Sequence, residues 1–196
     1  MAPLNTLISA AEAMRRSAGS AKIPSLYAFT DPARGMPPLQ AAARLPRGAA
    51  LVYRHFGAAD RRELANALRT VCRRRGVLLL IGADPMLARE VGADGVHWPE
   101  RLTTRRRPEF RLQTAAAHGA PGLRRARRAG MDAAILSPVF PSDSPSAGVP
   151  LGSRRAGMLV RSADLPVIAL GGVSAERVRQ LKLLGFSGIA LVSGLT

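Results

Sequence analysis

Eight short apolar runs recur along the chain, and stretches with helical spacing separate them. The runs are PSLYAFT (24–30), AALVYRHF (49–56), VLLLI (77–81), GVHW (95–98), FRLQTAA (110–116), DAAILSP (132–138), PVIALGG (166–172) and GIALVSG (188–194). They are mostly continuous rather than alternating, the pattern of strands covered on both faces. Helical patterns fall over 4–17, 37–45, 60–75, 84–91, 120–129, 152–162 and 174–184. Eight such strands, six of them followed by a helical stretch, predict an α/β protein, a compact (β/α)8 TIM barrel over 23–196, with 1–22 as an N-terminal helical extension. The segment after GVHW is expected to hold little or no regular helix. The eighth run ends the sequence, so the final helix is expected to be missing. Its place is left either to the 4–17 helix or to a second copy in a homo-oligomer.

The helix-to-strand connections share a signature. In REVGADGVHW, RRAGMDAAILSP and KLLGFSGIALVSG a helical pattern stops at Gly92, Gly130 and Gly185, a short turn follows, and a strand begins. Glycine there fits a left-handed residue closing the helix.

Composition narrows the function classes. The formal net charge is +16, and every basic residue is arginine except Lys22 and Lys182. That raises nucleic-acid binding, but the arginines are spread along helical stretches such as RRELANALRTVCRRRG and GLRRARRAG. Aromatic residues make up only 4% of the chain, and no base-stacking motif is present. Nucleic acid is therefore not the expected partner, whereas attraction for small anions is. No apolar run reaches the ~18 residues of a membrane span. The N-terminal segment carries its charge after its apolar part, the reverse of a secretory signal, so a cytoplasmic protein is expected. The one cysteine, Cys72, excludes an internal disulfide and reads as a packed thiol in a helix.

One stretch carries chemistry on architecture alone. In LPVIALGGVSAERV an apolar run stops at Gly171 and Gly172 just ahead of a helix whose N-cap is expected to be Ser174. Ligands of such barrels sit at the C-terminal ends of the strands, with phosphate commonly held by the loops after strands seven and eight. Gly171, Gly172, Val192, Ser193 and Gly194 are the expected phosphate-binding residues, acting through backbone N–H groups and the helix dipole. The alternative is that the glycines only allow a tight turn.

Taken in order, LYAFTD, GADGVHW, LSPVFPS and PVIALGGVSAERVRQLKLLGFSGIALVSGL resemble the thiamine phosphate synthase / TenI (thiazole tautomerase) superfamily from about Leu26 to Leu195. The resemblance implies thiamine biosynthesis and coupling of an aminopyrimidine pyrophosphate to a thiazole phosphate, with Mg²⁺ steadying the pyrophosphate. It also implies residues that this chain lacks. After the second strand the family carries Gln, Arg and Lys at alternate positions; here they are Val52, Arg54 and Phe56. Its Asn-Asp after the third strand aligns with Gly82-Ala83, with Asp84 one residue on. Its second metal-binding Asp aligns with Leu102, near Glu100. Its pyrophosphate-binding Lys after PVFP has no counterpart. The tautomerase branch has a catalytic His where this chain has Pro138.

The resemblance therefore implies a kept thiazole-phosphate end and a degenerate pyrophosphate end. No metal ligand is assigned, and Mg²⁺ is the cofactor only if synthase activity is retained. The catalytic candidates are Arg54, His55 and His118, the histidines because they titrate near neutral pH; His97 reads as a core histidine. Ser137, Pro138 and Asp143 form an expected substrate loop after the sixth strand. Tyr27 and Asp31 are placed near the barrel mouth. The expected partner is a small phosphorylated thiazole or pyrimidine. The competing functions are the synthase reaction, metal-free proton transfer, and ligand binding without turnover.

Overall fold

The computed structural model describes residues 4–17, 23–33, 36–142 and 148–192. Eight parallel strands close into a barrel in sequence order: β1 (Leu26–Phe29), β2 (Ala50–Tyr53), β3 (Leu78–Gly82), β4 (Gly95–Trp98), β5 (Leu112–Ala117), β6 (Ala133–Leu136), β7 (Val167–Leu170) and β8 (Gly188–Leu191). Closure runs through β1 and β8, with Leu26 opposite Ile189 and Ala28 opposite Leu191. Every strand lies where an apolar run was expected.

Alternation along each strand divides the apolar residues into two layers. Tyr27, Phe29, Val52, Leu80, Ile135 and Ile168 fill the barrel interior. Leu26, Leu51, Tyr53, Leu79, Ile81, Leu136 and Ile189 belong to the outer layer beneath the helices. Both faces are dry, and this is why the runs read as continuous.

The helices are α1 (Leu4–Ser17), α2 (Pro38–Arg44), α3 (Arg61–Arg75), α4 (Pro85–Glu90), α5 (Ala120–Arg128), α6 (Gly152–Arg161) and α7 (Ala175–Leu183). Between β4 and β5 there is only one 3-10 turn, Glu100–Leu102, as the sequence suggested. Gly92, Gly130 and Gly185 have φ of 63°, 73° and 91°, the left-handed closure expected of them. Cys72 is buried in α3, and burial pushes its thiol up to about 12, so it is a packing group rather than a nucleophile. No helix among the described residues is long and apolar enough to cross a membrane.

The question of what covers the eighth position is answered within the chain. α1 packs against β8, β1 and α7. Leu7, Ala11 and Met14 share one face of that helix and are all buried. Their counterpart is the outer surface of Leu26, Ile189 and Leu191, which would otherwise face water. Met14→Ala is therefore expected to lower stability by about 2–4 kcal/mol in urea unfolding, whereas a helix merely appended to the barrel would show less than about 0.5 kcal/mol.

Candidate active site at the barrel mouth

A cleft of about 640 Å³ opens at the C-terminal ends of the strands. Arg54, His118, Ser137, Pro138, Gly171 and Val192 all line it, joined by Phe29, Phe56, His97 and Ser142. Alternation explains the choice at β2: Val52 and Arg54 point inward, and the next residue, His55, points away. His55 is not among the lining residues. It lies against the Tyr53 ring at 5.1 Å, and burial, its largest influence, pushes its pKa down. Asp143, Ser193 and Gly194 lie outside the described residues.

Arg54 is held in place from β1. Its Nε donates to the Thr30 carbonyl at 3.0 Å, its backbone N–H donates to Thr30 Oγ1 at 2.9 Å, and Asp31 Oδ2 lies 3.7 Å from Nη2. The guanidinium also rests over the Phe29 ring, 5.2 Å from its centroid. Asp31 thus lies beside Arg54 at the edge of the mouth, outside the cleft lining, whereas Tyr27 is deep in the barrel. Thr30 escaped the sequence reading. Its only signal was its place at the end of a run that pairs with the run carrying Arg54.

His118 is fixed by its own hydrogen bond. Nδ1 lies 2.8 Å from the Ser137 carbonyl oxygen. A carbonyl only accepts, so Nδ1 carries the proton and Nε2 of the neutral ring keeps its lone pair. The backbone N–H of His118 donates to Glu100 Oε2 at 2.8 Å, and Arg125 is 3.7 Å from the other carboxylate oxygen. Glu100 therefore braces the His118 backbone.

The glycine pair does steric work. Both residues are left-handed, with φ of 95° and 62°. A Cβ on Gly171 would come within 2.9 Å of Pro138 Cα, and one on Gly172 within 2.3 Å of the Pro141 carbonyl oxygen. The chain after β6 packs directly on this turn, with the Phe140 N–H donating to Gly171 O at 3.1 Å. Gly171 lines the cleft and Gly172 does not. Ser174 is the N-cap of α7, as expected, but its side chain makes no capping hydrogen bond.

The sequence profile described as thiamine monophosphate synthase (TMP-TENI) matches residues 26–195. The chain belongs to the thiamine monophosphate synthase family. It is 31% identical to the putative thiamine-phosphate synthase 2 of Aquifex aeolicus over 182 residues, 88% of this chain and 97% of that protein. It is 32% identical to the putative thiamine-phosphate synthase of Geobacter sulfurreducens over 139 residues, 68% of this chain. That match spans 65% of the Geobacter protein, just under two thirds of its length. The fold is similar to that of a thiamine phosphate pyrophosphorylase from Pyrococcus furiosus, with a TM-score of 0.72 and 24% identity over 88% of this chain and 87% of that one.

The resemblance to this family implies Mg²⁺, which needs several hard oxygen ligands. No carboxylate lines the cleft among the described residues. Asp84 caps α4 through the Leu87 N–H at 2.9 Å and pairs with Arg61 at 2.6 Å. Glu100 is committed to His118 and Arg125. Asp31 lies against Arg54 and is not part of the lining, so the described mouth does not offer a divalent cation a set of oxygen ligands.

His97 lies on the cleft floor. Its Nδ1 is 2.9 Å from Thr114 Oγ1, and its ring meets Phe29 edge-on at 5.0 Å. Burial first, then the nearby Arg54 charge, pushes its pKa from 6.5 down to about 3. Between those values the unfolded chain takes up a proton that the folded one refuses. The stability present above pH 6.5 is therefore lost as pH falls. His97→Gln is expected to remove about 2 kcal/mol of the stability lost between roughly pH 7 and 5. Urea unfolding at both pH values tests this, and identical losses in the two proteins would mean that His97 titrates freely.

Proposed function

We propose that the protein works in thiamine biosynthesis in the cytoplasm, binds a thiazole phosphate at the barrel mouth, and moves a proton on that ligand without a metal ion. The observation that carries this reading is the set of groups at the mouth: one braced arginine, aromatic walls, a histidine with its proton parked on Nδ1, and no carboxylate among the described lining. The phosphate is assigned to the ends of β7 and β8, at the backbone of Gly171, Gly172, Val192, Ser193 and Gly194. The start of α7, with no side-chain cap from Ser174, adds N–H groups and a favourable dipole. The ring is assigned to the space between Phe29 and Phe56, with Arg54 beside it. His118 Nε2 removes a proton from one carbon of the ligand, and the resulting imidazolium returns it to another, leaving the composition unchanged. Ser137, Pro138 and Asp143 belong to the segment that borders this ligand.

The names of the relatives favour a second reading, coupling of an aminopyrimidine pyrophosphate to thiazole phosphate with release of pyrophosphate. That reaction concentrates negative charge on the leaving group, and the described mouth offers it Arg54 but neither lysine nor metal ligands.

Calorimetric titration with thiazole phosphate, with and without Mg²⁺, is the deciding measurement. The affinity is expected to be the same within twofold in both conditions. Arg54→Ala should weaken it about tenfold or more, the effect of losing a charged hydrogen-bonding partner. His118→Asn should retain binding and lower turnover in EDTA roughly 100-fold or more. Binding of the aminopyrimidine pyrophosphate only with Mg²⁺, with thiamine phosphate formed, would establish the second reading. Binding of thiazole phosphate with no turnover of either substrate would leave a ligand-binding protein without catalysis.

A further inference from the structure

The end of the barrel opposite the mouth holds a second cavity, of about 460 Å³, between α1, the first residues of β1 to β3 and the C-terminal end of α3. Four arginines line it, Arg47, Arg69, Arg73 and Arg111, against the carboxylates of Glu12 and Asp94. Asp94 is already engaged. Its Oδ2 accepts from the Leu79 N–H at 2.9 Å and from Arg69 Nη1 at 2.9 Å. The guanidiniums of Arg47, Arg73 and Arg111 form no ion pair or hydrogen bond among the described residues.

Two other arginines at the same end of the molecule have acidic partners. Arg106 reaches Asp132 at 3.4 Å, and Arg127 pairs with Asp164. Asp132 repeats the arrangement of Asp94, since it also takes a strand N–H, that of Gln113 at 2.7 Å. Only part of the arginine cluster can be credited to the helix dipole. The last turn of α3 carries Arg73, Arg74 and Arg75, ample for its C-terminal partial charge. Arg47 and Arg111 come from other segments, after α2 and before β5, and converge on the same space. Arg47 reaches it across Gly76, where a Cβ would stand only 3.0 Å from the guanidinium carbon.

Asp94 is taken by Arg69, so Glu12 is the one carboxylate of the described lining left to face the three guanidiniums. Like charges brought together in excess repel one another, and an anion seated among them removes that cost. Guanidinium forks match the oxygens of phosphate in paired hydrogen bonds. Three of them around a volume in the small-molecule range call for more than one phosphate group. We propose that this cavity binds a small anion carrying two or more phosphate groups, at a site separate from the barrel mouth. Because Ile8, Ala11 and Glu12 of α1 form one wall, the bound anion would also tie α1 to the barrel.

Calorimetric titration with tripolyphosphate in ~0.15 M salt tests the site, an ionic strength that screens diffuse attraction beyond about 8 Å. Four proteins are compared: the unaltered chain, Arg73→Ser/Arg111→Ser, Arg128→Ser/Arg154→Ser, which removes the same charge elsewhere, and Arg54→Ala. Affinity is expected to fall about tenfold or more in the first pair, equivalent to one strong contact, and to stay within twofold in the other two variants. Equal loss in the two double variants would overturn the proposal in favour of general attraction to a basic surface. Loss confined to Arg54→Ala would overturn it in favour of the mouth. Phenylglyoxal labelling of the unaltered protein, read by mass spectrometry, needs no variant. Tripolyphosphate should protect Arg47, Arg73 and Arg111, and unchanged labelling of all three would sink the proposal.

Discussion

Pairing of the first strand with the last is the interaction on which the rest of this structure depends. Once Leu26–Phe29 lies beside Gly188–Leu191, the sheet has no edge left, and each residue of each strand must point either into the barrel or under a helix. The division is strict enough to separate neighbours in sequence. Arg54 enters the cleft and His55 leaves it. His97 looks into the barrel, while Trp98 joins the outer layer. The site is thus selected by parity along strands, then refined by the segments that follow them.

Much of the architecture was legible in the sequence because burial on both faces leaves uninterrupted apolar runs and because left-handed glycines mark where helices stop. The missing helix after β4 was legible too, since RLTTRRRPEF has four arginines and a proline where an apolar face would be needed. The site was less so. Arg54, His118, Ser137, Pro138, Gly171 and Val192 meet around one cleft, as a reading of strand ends suggests, but His55 falls on the wrong side of the parity. Thr30 and Glu100 could not be identified as braces, because each acts on a residue 18 or 24 positions away through a contact that only the closed barrel creates. Gly171 and Gly172 illustrate a different limit. Sequence offered a choice between turning and anion binding, whereas the structure adds a third demand, the close passage of the chain at Pro138 and Pro141.

The electrostatics of the two barrel ends differ in kind. At the mouth, the arginine of β2 is fixed by a carbonyl, a hydroxyl and Asp31, so its charge has a set position and is partly compensated. At the other end, charge is supplied by arginines from separate segments with little compensation. A net charge of +16 therefore does not describe a uniform coat. It includes paired arginines, helix-end arginines and, around the second cavity, arginines that converge from separate segments.

The position of α1 carries a consequence for how the chain reaches its final state. This helix precedes β1, yet its apolar face rests on β8 and α7. The contact spans nearly the whole described sequence. Loop-closure entropy must be overcome before such a long-range contact yields any stabilisation, so it belongs among the slow, late events of folding. On a ribosome, Leu7, Ala11 and Met14 emerge well before α7 and β8 and stay without those partners until the last strand has been made. Through that interval the growing protein carries an exposed amphipathic segment, the kind of surface that chaperones hold, and the β8 side of the barrel is sealed only at the end, by a helix that precedes β1.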